Sequence, residues 1–375
     1  MTEPEERART DAVIDSVTAA AYRIPTDRPE ADGTLSWNST TLVVAEVTGA
    51  GVTGWGYTYG AQACVPVIRG VLADAIRGGS ILDIPMAWTS MVRALRNIGR
   101  QGVAGCALSA VDTALWDLKS RAMGVPLADL FGRARSAAPV YGSGGFVTYD
   151  EPAARDQLEH WTGDLSIPRV KIKIGQDRGG DVRRDLERVV FARHVIGPDV
   201  DLFVDANGAY RRKQAVRVGR QLAESGVTWF EEPVSSDDLA GLRLVCENLD
   251  CDVAAGEYGY DLAYFGRMVA AGAVDCLQID VTRCGGYSEW LRVAALAAAH
   301  GLEVSAHCAP SLHLPVALAA ENLRHIEYFH DHVRIEEMVF DGVVRPVRGV
   351  LNGNGLAPGH GLTVKRADAD AFRVA

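Results

Sequence analysis

A short alternating stretch near the middle of the chain decides its fold: Val170-Lys171-Ile172-Lys173-Ile174-Gly175. The alternation predicts a β-strand in which Lys171 and Lys173 point to one face and the apolar side chains to the other. Two ammonium groups so close together repel each other, so each makes the other easier to deprotonate. The pair therefore indicates a base that works near neutral pH, although a Lys-x-Lys strand is more often a charged, solvated edge.

Strand-like stretches of this kind recur from about residue 137 onward, each followed by a charged or alanine-rich helical stretch. Such β/α alternation is typical of a parallel sheet. The predicted strands are 138–143, 169–174, 201–205, 228–232, 252–257, 275–280, 303–307 and 325–329. Eight strands favour a closed parallel barrel. A doubly wound open sheet is the alternative, but its glycine-rich first turn is missing from the sequence.

The first third of the chain has a different pattern of apolar and polar residues. Short apolar runs at 12–24, 40–48 and 54–59 predict an antiparallel meander, and 65–132 reads as helical. The polar segment 25–33 between the first two runs is either a surface loop or a lid over a site. We therefore expect an α+β amino-terminal domain over residues 1–135, a barrel over 136–350 and a tail, 351–375, that returns to the first domain.

Composition narrows the class of protein. The chain has 375 residues, a net charge of −10 and scattered basic residues, which argues against a nucleic-acid partner. Its seven cysteines form no Cys-x-x-Cys pair, so neither a disulfide framework nor a structural zinc site is expected. Residues 1–7 lack the pattern of an export signal, and no apolar run is long enough for a membrane span. We expect a cytoplasmic protein that does not contact a membrane.

Most of the predicted barrel strands end on a polar residue, where a buried parallel strand would otherwise stay apolar. These strand-end residues are Lys173, Asp205, Glu231, Glu257, Asp280, His307 and Glu327. Neighbouring members are 20 to 32 residues apart, about one strand-helix unit, so all of them are predicted to lie at one rim. That rim is the carboxyl end of the strands, where the active sites of β/α barrels lie.

Three consecutive strand ends carry carboxylates, namely Asp205, Glu231 and Glu257. Any one of them alone would more often be a salt-bridged or capping residue. Three that converge would repel one another strongly without a cation. An all-oxygen ligand set suits Mg²⁺ better than zinc, so we expect a magnesium site, with Asn207 facing the same way to orient a ligand.

A histidine is predicted on the other side of the barrel from the lysine strand. His307 ends one strand and Asp280 ends the strand before it, and a carboxylate beside an imidazole fixes its tautomer and stabilises its protonated form. A lone histidine is more often a packed core residue, but the pairing favours an acid/base role. Glu327, from the last strand, would present a proton to an oxygen if the lysines and the metal do not keep it ionised.

These residues resemble the mandelate racemase subgroup of the enolase superfamily. The motifs that carry the resemblance are Val-Lys-Ile-Lys, Val204-Asp205-Ala206-Asn207, Phe230-Glu231-Glu232-Pro233, Ala255-Gly256-Glu257, Ile279-Asp280 with Gly285-Gly286, and Ala306-His307. The resemblance covers most of the chain and implies an α+β capping domain and a (β/α)7β barrel. It also implies that Asp205, Glu231 and Glu257 bind Mg²⁺.

The resemblance implies the catalytic roles as well. Lys173 is one acid/base, the His307–Asp280 dyad is another, Lys171 tunes Lys173 and touches the substrate carboxylate, and Glu327 hydrogen-bonds that carboxylate. The shared chemistry is removal of the proton next to a carboxylate, which needs stabilising charge already in place.

The substrate and the outcome remain open between alternatives. We favour dehydration of a sugar acid, an aldonate or an aldarate, to a 2-keto-3-deoxy acid, because many members of the subgroup do this. The polar residues Thr26, Asp27, Arg28, Glu30 and Asp32 of the proposed lid would suit hydroxyl groups. Racemisation or epimerisation of a 2-hydroxy acid is the second reading, and a catalytically silent metal-dependent binding protein is the third. The partners expected are a small carboxylate substrate and further copies of the chain.

Overall fold

The computed structural model of this protein describes residues 12–375. The expectation that the chain has no export signal rested on residues 1–7, which lie outside the described part. No helix between residues 12 and 375 combines the length and the apolar character that a membrane crossing requires.

Three antiparallel strands form the amino-terminal sheet, in the order β1 (Ile14–Ala31), β2 (Ser36–Gly49) and β3 (Val52–Tyr59). The predicted meander is confirmed. Most of the segment 25–33 belongs to β1, so the expectation of a loop over its whole length is wrong. Pro25 and Pro29 are accommodated because β1 is an edge strand whose register shifts between Pro25 and Glu30. The backbone N–H groups that proline lacks are not needed for strand pairing at these positions.

Helices follow this sheet, as the sequence predicted. They are α1 (Cys64–Pro66), α2 (Ala73–Ile76), α3 (Ile84–Ala94), α4 (Val103–Ala122) and α5 (Leu127–Phe131), with a π-helical segment at Val67–Leu72. The long helix α4 is buried along most of its length and packs closely on β3. A side chain at Gly56 would lie 2.2 Å from the carbonyl oxygen of Ala110, so glycine is what permits this approach.

Eight parallel strands close into a barrel, because the last one pairs with the first. They are β4 (Ala137–Gly144), β5 (Arg169–Lys173), β6 (Asp201–Asp205), β7 (Val227–Glu231), β8 (Asp252–Ala255), β9 (Cys276–Ile279), β10 (Glu303–Ala306) and β11 (Leu323–Phe329). Every predicted strand is present, with ends shifted by no more than two residues. The closed barrel is confirmed and the open-sheet alternative is excluded.

A helix follows each barrel strand. These helices are α6 (Glu151–Glu159), α7 (Val182–Ile196), α8 (Arg212–Leu222), α9 (Leu239–Cys246), α10 (Leu262–Ala270), α11 (Gly286–Ala299), α12 (Pro310–Ala319) and α13 (His330–Val339). The last of them, α13, contacts the amino-terminal sheet, where Tyr57 donates to Glu336 and Tyr59 stacks on His332. The eighth strand-helix unit therefore joins the barrel to its cap.

Mainly apolar side chains, with the buried imidazole of His325 packed among them, fill the lower barrel, so it is a packed core rather than a channel. Inward-facing residues of five strands form this layer: Tyr141, Phe203, Trp229, Ala254 and Cys276. Because strand side chains alternate, the next inward positions along the chain lie one layer higher, at the mouth. This layer therefore forms the floor beneath the polar strand ends.

The tail makes contact with both parts of the chain. Strand β13 (Val350–Asn352) pairs antiparallel with β4, and β12 (Phe340–Asp341) pairs with β14 (Thr363–Val364). After α14 (Arg366–Asp370) the chain end reaches β1, where the N–H of Val374 donates to the carbonyl of Ala21. The tail thus contacts the edge strand of the amino-terminal sheet.

The closure of the barrel gives a test of its packing. Gly142 lies in β4, and a Cβ there would be 2.5 Å from the indole of Trp161, so Gly142→Ala is expected to lower the free energy of unfolding by about 1–3 kcal/mol. Gly163→Ala is the matched control, because nothing lies within 4 Å of its added Cβ. Urea denaturation measures both. Equal effects of the two substitutions would contradict the close packing of β4 on Trp161.

Candidate active site

The polar strand ends meet at the carboxyl rim of the barrel, as predicted. Lys173, Asp205 and Glu231 are direct neighbours across β5, β6 and β7. Glu257 follows β8 after Gly256, whose φ of +137° lets the chain turn so closely that a Cβ would lie 2.2 Å from the carbonyl oxygen of Gln278. Parallel pairing in register therefore gathers side chains that are distant in sequence.

Three carboxylates converge at this rim. One oxygen each of Asp205, Glu231 and Glu257 lies within 4.8 Å of the others, and all three side chains are buried. Oδ1 of Asn207 makes no hydrogen bond with any residue from 12 to 375. Oε2 of Glu257 has Nε2 of His307 at 3.3 Å as an ion-pair neighbour. Burial raises the pKa of Glu231 to about 8. A hard divalent cation fits such a set, because it would balance the charge and take free oxygen atoms as ligands.

The two lysines of β5 are both buried and both ion-paired. Nζ of Lys171 lies 2.5 Å from Glu231 and 2.8 Å from Glu327, and Nζ of Lys173 lies 2.5 Å from Asp205. Burial alone lowers the pKa of each ammonium group, but the neighbouring carboxylates outweigh it and raise the pKa above its usual value. The sequence argument that the lysines make each other easier to deprotonate is therefore outweighed here.

The histidine and its carboxylate also meet as predicted. Nδ1 of His307 lies 2.8 Å from Asp280, which leaves Nε2 to face the cavity, 3.3 Å from Glu257. Burial alone lowers the pKa of His307, but the acidic groups around it, Glu257 and Glu327 among them, raise it well above the usual value. The imidazole is thus held in its protonated form, ready to give up a proton.

Glu327 lies between the lysine and the histidine. It accepts hydrogen bonds from Ser143 Oγ at 2.6 Å and from the N–H of Cys308 at 3.0 Å, beside its ion pair with Lys171. Burial favours its neutral form, but Lys171 and then His307 outweigh burial and lower its pKa below the usual value. The expected donation of a proton by Glu327 is therefore not supported, because the side chain is held as a carboxylate.

A cavity of about 290 Å³ opens above these groups, bounded by the barrel rim on one side and by the β1–β2 hairpin on the other. Lys173, Asn207, Glu257, His307 and Glu327 line it from the barrel, and Asp32, Leu35, Trp37, Ser39 and Thr40 line it from the hairpin. Its size suits a small organic acid.

The hairpin covers the cavity, but with other residues than the sequence predicted. Of the five polar lid residues expected, Asp32 lines the cavity, and Thr26, Asp27, Arg28 and Glu30 do not. Two of these four are engaged elsewhere, since Asp27 pairs with His330 and Glu30 is fully buried.

Three residues that the sequence analysis did not assign lie at this site. Arg283 bridges Glu257 and Asp280 at 3.2 and 3.3 Å, Cys308 lines the cavity beside His307, and Glu232 is buried with a free oxygen among residues 12–375. Glu232 and Cys308 each follow an assigned residue directly in sequence. Arg283 comes three positions after Asp280. Proximity to a strand end was therefore the available indication for all three.

Known proteins resemble this chain over most of its length. An L-talarate/galactarate dehydratase from Salmonella typhimurium is 31% identical over 295 residues, covering 77% of this chain and 73% of that protein. A 3,6-anhydro-alpha-L-galactonate cycloisomerase from Streptomyces coelicolor is also 31% identical, covering 92% and 96%. An arabinonate dehydratase from Saccharolobus solfataricus is 31% identical, covering 71% and 72%.

Solved structures match as well. A mandelate racemase/muconate lactonizing enzyme-like protein from Rubrobacter xylanophilus has a TM-score of 0.93 and 44% identity, covering 96% of this chain and 100% of that one. A racemase from Streptomyces coelicolor with bound magnesium has a TM-score of 0.89 at 29% identity, covering 96% and 100%. The Salmonella typhimurium dehydratase with magnesium and L-lyxarohydroxamate has a TM-score of 0.89 at 26% identity, covering 100% and 95%.

Two family models account for almost the whole chain. Residues 16–132 match the mandelate racemase / muconate lactonizing enzyme N-terminal domain, and residues 153–369 match the enolase C-terminal domain-like family. Both matches agree with the fold described above, a three-stranded cap followed by a parallel barrel. The chain therefore belongs to the enolase superfamily, in the mandelate racemase subgroup.

Proposed function

We propose that this protein is a Mg²⁺-dependent lyase that dehydrates a sugar acid to a 2-keto-3-deoxy acid. The observation that carries the proposal is the placement of Lys173 and His307 around one cavity beside three converging carboxylates. Relatives named as sugar-acid dehydratases and structures with bound magnesium support it.

The cation would be held by Asp205, Glu231 and Glu257, with Asn207 beside them. Mg²⁺ at this position supplies positive charge that stabilises negative charge developing on the substrate carboxylate. The ammonium group of Lys171 adds positive charge from the barrel interior, and Glu327 and Glu231 fix its position. Glu327 acts here by positioning Lys171 rather than by giving a proton to the substrate.

Lys173 and His307 divide the proton transfers. Their strands, β5 and β10, are three places apart around the eight-stranded ring, so the two side chains approach the cavity from different sides. Lys173 takes the proton from the α-carbon once its ammonium group has been deprotonated. Nε2 of His307 gives its proton to the β-hydroxyl, the C–O bond breaks and water leaves. The resulting enol then tautomerises to the keto acid.

The same pair also permits a racemase. If His307 returns a proton to the α-carbon instead of to the hydroxyl, the configuration inverts and no water is lost. The choice then depends on whether a β-hydroxyl lies within reach of Nε2. A silent binding protein has no physical need for an acid/base pair on two sides of one cavity.

A panel of sugar acids incubated with the protein and Mg²⁺ tests the reaction. At least one is expected to give a 2-keto acid, detected as its semicarbazone, and chelation of the cation is expected to stop the reaction. Exchange of the α-proton with D₂O on a 2-hydroxy acid, without keto acid, would replace the dehydratase by the racemase. If no acid of the panel gives either product or exchange, the result would favour the binding protein instead.

Two substitutions separate the roles of the site residues. His307→Asn is expected to lower kcat for dehydration by about 10²- to 10⁴-fold, because no proton reaches the leaving group, while Mg²⁺ affinity stays close to wild type. Glu257→Gln is expected to weaken Mg²⁺ binding by about tenfold or more, because it removes one ligand charge. Calorimetric titration measures the affinity. Equal loss of Mg²⁺ binding in both variants would contradict the assignment.

The charges in the cavity favour an aldonate over an aldarate. Among the described residues that line it, Lys173, Arg283 and His307 are the positive groups, and all three belong to the barrel side. The hairpin side contributes the carboxylate of Asp32. A second carboxylate at the far end of the substrate would meet this like charge, which opposes its binding.

Pairs of acids with the same configuration test this preference directly. The aldonate is expected to be used about tenfold or more better than the matching aldarate, measured as kcat/KM. Asp32→Asn is expected to narrow that ratio, because the amide keeps the oxygen that accepts from Leu35 N–H but loses the charge. Asp15→Asn, an exposed carboxylate in β1, is the control. A ratio that favours aldarates, or one that Asp32→Asn leaves unchanged, would contradict this account.

A further inference from the structure

A second cluster of metal-ligand side chains lies outside the cavity, where the hairpin meets the barrel. Asp27 and Glu30 belong to β1, and His330 is the first residue of α13. One donor atom from each lies within 4.8 Å of the others, and Nε2 of His330 is 3.0 Å from Oδ2 of Asp27. The cluster thus joins the cap to the barrel.

Glu30 is the unusual member of this cluster. Its side chain is fully buried, and Oε2 accepts a hydrogen bond from the indole N–H of Trp37 at 2.8 Å. Oε1 is also buried and has no hydrogen-bond partner in the described part of the chain. A buried carboxylate oxygen without a partner is costly, so an unseen partner is expected at Oε1.

The nearby cations do not balance this carboxylate. Arg334 pairs with Asp331 at 2.7 Å, and the same guanidinium donates to the carbonyl of Pro25. His330 is engaged by Asp27. A proton, a water molecule or a metal ion could satisfy Oε1. Burial raises the pKa of Glu30 to about 8, which makes the proton a competing occupant.

We propose that Asp27, Glu30 and His330 bind a divalent transition metal of the Zn²⁺ type, at a site separate from the barrel mouth. One imidazole and two carboxylates are ligands that Zn²⁺ takes readily, whereas Mg²⁺ prefers oxygen ligands alone. The separation of donor atoms is short enough for one ion to reach all three. Partly exposed Asp27 and His330 leave the ion an entry path from solvent.

The position of the site gives the ion a structural role near the substrate. The ion fixes Glu30, Glu30 holds the indole of Trp37, and Trp37 is part of the cavity wall. The hairpin is otherwise tied to the barrel by hydrogen bonds such as Val147 N–H to the carbonyl of Ala31 and Thr148 Oγ1 to the carbonyl of Pro29. A metal at Asp27, Glu30 and His330 adds a link that clamps the hairpin over the cavity.

Zn²⁺ binding to the full-length protein tests the proposal. Equilibrium dialysis with Zn²⁺ in the presence of saturating Mg²⁺ is expected to give one equivalent that Glu30→Gln and His330→Asn each lose and Glu257→Gln keeps. Glu30→Gln has the same shape as glutamate, so it mimics a protonated Glu30 without disturbing the packing. Asp15→Asn in the same strand is the control for a carboxylate lost elsewhere.

A second measurement reports on the hairpin itself. Zn²⁺ is expected to slow hydrogen exchange of residues 25–37 in the wild type and to have no effect on it in Glu30→Gln. Retention of full Zn²⁺ stoichiometry in Glu30→Gln would overturn the proposal, because Glu30 would then not be a ligand. Zn²⁺ bound only at the site that Glu257→Gln removes would overturn it too. Dehydratase activity enters neither readout, so the proposal and the proposed function fail independently.

Discussion

The structure depends on one electrostatic constraint, the gathering of buried carboxylates at the mouth of a closed barrel. Asp205, Glu231, Glu257 and Glu327 are almost fully excluded from water. Like charges this close, in a medium of low polarity, must be balanced from within. Lys171, the most deeply buried of the nearby cations, bridges two of them. A metal ion bound by the remaining oxygens would complete the same balance, and positive charge held there suits charge stabilisation.

The barrel and the cap contribute in different ways to this site. The candidate acid/base groups stand on strand ends, whose positions are fixed by parallel pairing over a packed layer of mainly apolar side chains. The far wall of the cavity comes from the β1–β2 hairpin, whose register shifts in the segment that holds Pro25 and Pro29. Rigid strands hold the side chains proposed for chemistry, and the hairpin carries those proposed for recognition. Substrate preference can thus change without disturbing the strand ends.

The sequence predicted the barrel because strand and helix periodicities are local, and it predicted the site because polar strand ends recur at the length of one unit. It did not predict charge states. Lys171 and Lys173 repel each other as expected, yet the carboxylates beside them raise both pKa values. Those neighbours come from other strands, so no local pattern reveals them. The prediction of the lid residues failed for the same reason, since the burial of Glu30 and the exposure of Asp32 to the cavity depend on tertiary packing.

The central claim is that three carboxylates from separate strands share one cation between Lys173 and His307. Anomalous scattering from crystals grown with Mn²⁺ in place of Mg²⁺ tests it most directly, because Mn²⁺ takes similar oxygen ligands and its position can be located. The account predicts a peak within bonding distance, about 2.0–2.2 Å, of oxygens from Asp205, Glu231 and Glu257. A peak that lies beyond bonding distance of any one of these three residues, or the absence of a peak at the barrel mouth, would contradict it.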